Sequence, residues 1–213
     1  MRSINRRDFL RDSALFSAVL AGTVTPSAQA RAAAPVAARR GNGDALRVAV
    51  VGVRGRGMNH ISGFAKRHGC VVTTVCDADS AVIGPAMRAV AKAQGQEPRF
   101  VQDVRKVVED RDIDIVSIAT PNHWHALMAI WAIQNGKDVY VEKPVSHNVS
   151  EGRRIVEAAR KHGRICQAGT QIRSNKGIRD AIAFLHAGKL GKVQVARGLC
   201  YKRRGSIGKV NGP

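Results

Sequence analysis

Short apolar runs alternate with longer amphipathic stretches along most of the chain. The runs at 48–51, 71–76, 99–101, 113–119, 138–141 and 164–168 have strand length and are rich in Val and Ile. Near-continuous apolar runs of this kind are the pattern of strands buried on both faces. Between them, 55–67, 80–94, 104–109, 123–135 and 151–162 have the spacing of helices. Gly95 and Pro98 punctuate the second helix. Asn122 is placed to cap the fourth and Gly136 to stop it; Ser150 is placed to cap the fifth and Gly163 to stop it. Strand and helix therefore alternate through residues 45–170, which predicts an α/β domain with a doubly wound parallel sheet covered on both faces.

Beyond Gly169 the pattern changes. Residues 175–187 read as a helix, 188–192 as a turn, and 193–199 alternate like the first strand of a new sheet. Residues 171–213 are thus expected to be the start of an incomplete second α/β domain, whose unfinished sheet would leave an apolar face and an edge strand exposed. At the other end, Asn5-Arg6-Arg7-Asp8-Phe9-Leu10-Arg11 resembles a twin-arginine export motif. It is followed by an uncharged, mildly apolar stretch and a small-x-small site, Ala28-Gln29-Ala30. Residues 1–30 are expected to be a signal peptide and 31–44, rich in Ala, Pro, Arg and Gly, a linker. The mature protein would be periplasmic or exported. The segment is too short and too rich in Ser, Thr and Gly for a membrane span, and no cysteine precedes Cys70 to carry a lipid, so no membrane anchor is expected after cleavage.

The formal net charge of +19 brings nucleic acid into consideration. Aromatic residues make up only 4% of the chain and none are interleaved with a basic run, so stacking on bases has no support. The basic excess is also local: residues 174–213 hold nine Lys or Arg against the single acid Asp180. A nucleic-acid partner is therefore not expected. Cys70, Cys76, Cys166 and Cys200 show no C-x-x-C spacing, and no metal site is expected.

Candidate chemistry collects at the strand ends. The first strand runs into Gly52-Val53-Arg54-Gly55-Arg56-Gly57. A glycine turn between a strand and a helix lets the backbone approach a pyrophosphate and offers it free N–H groups and the positive end of the helix dipole. The spacing G-x-G-x-x-G, set on Gly52, has Arg54 in its second glycine position and an additional glycine at 55. Asp77 ends the second strand, 20 residues after Gly57, where an acid can take the adenosine ribose hydroxyls and repel a 2′-phosphate. NAD is therefore favoured, with NADP as the alternative because Arg54 could pair with that phosphate. In a parallel sheet, ligands lie beyond the carboxyl ends of the strands. Thr120, Pro121, Asn122, Glu142 and Lys143 fall on the same edge as Gly52 and Asp77.

Together these motifs resemble the Gfo/Idh/MocA family of glucose-fructose oxidoreductase and inositol dehydrogenase, whose nucleotide domain is Rossmann-type. The resemblance is carried by the Gly52–Gly57 turn, Cys76-Asp77, Thr120-Pro121-Asn122-His123-Trp124-His125, Glu142-Lys143-Pro144 and Gly191-Lys192-Val193. It implies an NAD(P)-dependent oxidoreductase that transfers a hydride to or from a sugar, polyol or related hydroxy compound. Lys143 would be its catalytic lysine and Pro144 a cis-proline that aims it. By the same resemblance Asn122 and His125 line the nicotinamide and its ribose, and Glu142 bonds a ribose hydroxyl. The cofactor-binding set is then Gly52, Arg54, Gly55, Arg56, Gly57, Asp77, Thr120, Pro121, Asn122, His125, Glu142 and Lys143. Two alternatives stay open: a glycosidase of the same fold that uses bound NAD for transient oxidation and elimination, and a nucleotide-binding fragment without catalysis. Some exported relatives are such glycosidases, but their lysine position tends to differ. The family's second domain usually supplies an acid and a histidine and forms homo-oligomers; that pair is not found before Pro213.

Overall fold

The computed structural model describes residues 45–66 and 69–200. Residues 1–44, where the signal peptide and linker are expected, and the last thirteen residues lie outside them. The elements are β1 (Leu46–Val51), α1 (Arg56–Ala65), β2 (Cys70–Cys76), α2 (Ile83–Gln94), β3 (Arg99–Val101), α3 (Val104–Glu109), β4 (Ile115–Ile118), α4 (Asn122–Gln134), β5 (Asp138–Glu142), α5 (Val149–His162), β6 (Cys166–Gly169) and α6 (Lys176–His186). Short 3-10 turns precede α2 and α6.

All six strands are parallel and lie in the order β3-β2-β1-β4-β5-β6. The apolar runs account for this. In β1 the last four residues are wholly buried, Val48 and Val50 against α1 and α2, Ala49 and Val51 against the layer of α3, α4 and α5. Alternate side chains of one strand thus feed two separate cores, which is why the run reads as continuously apolar. The order reverses between β1 and β4, so the turns that leave these two strands diverge and open a crevice at their carboxyl ends.

Several local expectations are corrected. Asn122 does not cap α4; the cap is Pro121, extended in backbone and without a side-chain bond, and Asn122 is the first helical residue. Proline's fixed φ and the break it enforces after β4 set this helix start. Ser150 does not cap α5 either. Asn148 does, its Oδ1 accepting from Glu151 N at 2.9 Å while its Nδ2 donates to Glu151 Oε1 at 2.9 Å. The reciprocal bonding of cap and third helical residue outcompetes a serine two positions later. Residues 193–199 form no strand: 191–200 are irregular and exposed, with no neighbouring strand to pair with among the described residues. Helix α6 is present, with Ile178, Ile182, Phe184 and Leu185 exposed.

Candidate functional site

Gly52 leaves β1 with φ +85°, and its N–H donates to Cys76 O at 2.8 Å. A Cβ here would stand 2.8 Å from the backbone of Ala119 and Thr120, so the turn after β1 presses directly on the turn after β4. Gly57, in the first turn of α1, faces the Gly52 carbonyl so closely that any side chain would collide with it. These two glycines therefore occupy the first and last positions of the motif for steric reasons. Gly55, the residue before α1, has open space beside it and no side chain caps the helix. The first N–H groups of α1 are thus left without a capping side chain, as an anion site requires.

Arg54, in the position of the middle glycine, lies on the wall of the crevice beside the end of β2. Its guanidinium donates to Asp79 at 2.6 Å, and both groups are substantially exposed. A backbone bond from Ala81 and then the Arg54 pairing hold the pKa of the Asp79 carboxyl below its ordinary value. Asp77 is part-buried; it accepts from Val53 N at 2.8 Å and from Asp79 N at 3.1 Å. It therefore fixes the glycine turn to the end of β2. Each carboxylate oxygen retains a second acceptor position.

Two cavities meet at Ala119 and Thr120. The larger, about 1050 Å³, runs from Gly52, Arg54 and Gly55 past Asp77 and Asp79 to Phe100, Trp124 and Trp131. It includes both tryptophans of the sequence and Pro121. The smaller, about 510 Å³, is lined by Arg56, Thr120, Asn122, His125, Glu142, Lys143, Gln171 and Ile172. Lys143 is exposed on its wall, and its ammonium has no hydrogen-bond partner among the described residues. The Lys143–Pro144 peptide bond is cis.

Two of the expected ligand residues, both on the wall of the smaller cavity, also have protein partners. His125 is 1% exposed, with Nδ1 2.6 Å from Pro144 O and Nε2 2.8 Å from Thr120 O. Both nitrogens are thus engaged by backbone, bridging the turns after β4 and β5. Glu142 is 6% exposed. Its Oε1 accepts from Arg56 Nε at 2.9 Å, from His60 Nε2 at 2.9 Å and from Gln171 Nε2. Burial pushes the Glu142 carboxyl up, but the bonds from Arg56 and His60 outweigh it and hold the pKa below the ordinary glutamate value. Burial pushes the His60 pKa down, more than the Glu142 bond restores. A neutral imidazole donating from Nε2 to Glu142 accepts at Nδ1 from Ser117 Oγ, 2.8 Å away.

Both shifts have the same linkage sign. The folded state holds each group's pKa below its unfolded value, so the unfolded chain binds more protons as pH falls. This stabilisation is complete above the ordinary histidine value of 6.5 and is lost on acidification, first through His60 and then, below 4.5, through Glu142. The melting temperature is expected to fall between about pH 7 and about pH 5, and His60→Gln to flatten that part of the profile. An equally steep profile in the variant would remove His60 as the cause.

Sequence reasoning did not single out His60, Ser117, Gln171 or the cavity role of Trp124. Arg56 and His60 stand four residues apart, on one helix face, and that spacing was a usable signal. Gln171 follows β6 on the same sheet edge. Nothing in the local pattern marks Ser117, a polar residue inside an apolar strand.

NAD fits this edge. The uncapped α1 terminus and the glycine turn would take its pyrophosphate, the larger cavity its adenosine, and the cavity at Lys143 its nicotinamide end. A sequence profile of the oxidoreductase family with an NAD-binding Rossmann fold, Gfo/Idh/MocA, matches residues 46–170. The chain is 32% identical over 179 residues to a glycosyl hydrolase family 109 protein of Shewanella sp. (strain W3-18-1), and 32% identical over 182 residues to an alpha-N-acetylgalactosaminidase of Shewanella oneidensis. Each alignment covers 78% of this chain and 39% of the relative, so the chain spans about two fifths of their length. A crystal structure of myo-inositol dehydrogenase from Lactobacillus casei, in complex with NAD(H) and myo-inositol, superposes with a TM-score of 0.59 at 25% identity, covering 69% of this chain and 43% of that one. The chain belongs to the Gfo/Idh/MocA oxidoreductase family, and residues 46–170 are its NAD-binding Rossmann domain.

Proposed function

We propose that the full-length protein is an NAD-dependent oxidoreductase that moves a hydride between the cofactor and a sugar, polyol or related hydroxy compound. The observation that carries this reading is Lys143, an unpartnered ammonium on the wall of the cavity that also receives Arg56 from the phosphate-binding helix. NAD, when bound, supplies the redox chemistry, and the protein supplies orientation and proton management. Lys143 orients the reacting hydroxyl; as the free amine it takes that proton when the hydroxyl is oxidised, and as the ammonium it stabilises negative charge on the oxygen and returns the proton in the reverse direction. Asn122, the first residue of α4, adds a polar group to the same wall. The adenosine end favours NAD over NADP, because Asp77 faces the larger cavity and Arg54 is already paired with Asp79.

A second reading has one specific observation behind it: the relatives at 32% identity carry glycosidase names. In that reading bound NAD is reduced and reoxidised within each turnover, and a glycosidic bond is lost by elimination. One experiment separates the two. The full-length protein is incubated with NAD and a panel of polyols and free sugars while NADH is followed, and in parallel with aryl glycosides while the released phenol is followed. Net NADH formation is expected. Phenol release that depends on NAD, without net NADH, would replace the dehydrogenase reading with the glycosidase one.

A further inference from the structure

The smaller cavity has one acid on its wall, Glu142, and that acid faces inward. Three groups from two separate parts of the chain converge on its Oε1: Arg56 and His60 from α1, and Gln171 from the turn after β6. His60 is itself fixed by Ser117 on β4 and stands edge-on to Tyr140 of β5, with ring centroids 5.2 Å apart. Gly169 completes the enclosure, since a Cβ there would stand 3.0 Å from both Cα and Cδ of Glu142. The next residue in the chain is Lys143. The residue after it, Pro144, has its carbonyl beside buried His125.

We propose that Glu142 is a positioning residue that ties Lys143 to the phosphate-binding helix: its buried carboxylate, clasped by Arg56, His60 and Gln171, sets where the following lysine stands in the cavity. A carboxylate with these partners cannot swing out to a ribose hydroxyl without stripping buried His60 of its partner, which is costly, and releasing the more exposed Arg56 as well. Glu142 therefore acts through Lys143 rather than on the ligand. Since α1 also presents its N-terminus to the pyrophosphate, the clasp holds the two halves of the cofactor site in one fixed relation. This inference rests on the reading of Lys143 as the reacting lysine.

The test uses Glu142→Gln and His60→Gln in the full-length protein, with two probes. ADP carries the adenosine and both phosphates and reaches only the glycine turn and the larger cavity; NAD adds the nicotinamide end. Dissociation constants for both are read from tryptophan fluorescence, because Trp124 and Trp131 line the larger cavity. The acetylation rate of Lys143 by acetic anhydride, in the free protein, is read by mass spectrometry of the peptide that contains it. Each variant is expected to bind ADP as the unaltered protein does, to lose about tenfold of the preference for NAD over ADP, and to change the Lys143 acetylation rate several-fold. A lower melting temperature with the NAD preference and the acetylation rate unchanged would overturn the proposal and leave Glu142 a structural residue. His60→Gln removes one bond of the clasp only, so the test stands if Glu142→Gln does not fold. If instead Lys143→Ala retains turnover, the reading of the lysine fails while the positional result is still read from acetylation.

Discussion

Replacing Lys143 with alanine in the full-length protein leaves the dissociation constant for NAD within about threefold and lowers turnover by about 10²–10⁴-fold, the usual contribution of a positioned proton-transfer group. The two effects separate because the residues that would grip the cofactor lie elsewhere. The glycine turn, Asp77 and most of the larger cavity lie at the ends of β1, β2 and β3, on the other side of Ala119 and Thr120 from Lys143, and Lys143 has no hydrogen bond to any of them. Removing its side chain deletes a group from the small cavity without disturbing the phosphate cradle. The loss falls on kcat rather than KM where Lys143 acts only as the reaction proceeds. Lys143→Arg divides the role further. A guanidinium keeps the positive charge and can orient the hydroxyl, but it does not give up a proton, so it should bind substrate and still turn over slowly. Cofactor titration together with NADH formation measures both variants. Turnover unchanged in the alanine variant would take Lys143 out of the reaction.

How far this site could be read from sequence depends on what each inference needed. The sheet was legible because a parallel strand buried on both faces is a continuous apolar run, and Val48–Val51 is buried throughout. The edge was legible because strand ends and the residues after them follow directly: Gly52, Asp77, Thr120 and Lys143 all stand at the carboxyl ends of their strands. Side-chain direction was not legible. Glu142 and Lys143 are adjacent in sequence and line one cavity, yet the carboxylate is buried against Gly169 and the neighbouring ammonium is exposed. The divergence falls where β5 ends: Glu142 is its last residue and Lys143 the first beyond it. The partner that holds Glu142 inward, His60, is 82 residues away. Arg54 shows the same limit: its position in the glycine motif pointed at a phosphate, while Asp79, at the end of the next strand, claims it. The cap of α5 was misplaced because two adjacent segments offered competent residues, and only the reciprocal bonds of Asn148 and Glu151 choose between them.

Gly57→Ala should unmake both the cradle and part of the fold, while Gly63→Ala on the same helix should do the opposite. Each puts one methyl group on α1. At 57 the methyl falls on the carbonyl of Gly52, a backbone atom that cannot turn aside, and a contact with Val53 Cγ1 at 3.5 Å closes the other direction. The N-terminus of α1 must then lift from the end of β1, and overpacking of this kind costs about 1–3 kcal/mol. Gly52 offers no compensation, because it is itself wedged against Ala119 and Thr120. The phosphate-binding N–H groups move with the helix, so NAD affinity should fall by at least about tenfold in the fraction that folds, since each lost charge-assisted hydrogen bond weakens binding by about that factor. At 63 nothing lies within 4 Å of the new methyl and the position is exposed. There the substitution only restricts the unfolded chain and improves helix propensity, a gain of up to about 1 kcal/mol. Thermal melts and NAD titrations of the two variants test the pair. A Gly57→Ala protein as stable and as tightly binding as Gly63→Ala would mean that the turn and the helix are not in the contact described, and the phosphate cradle would have to be placed elsewhere.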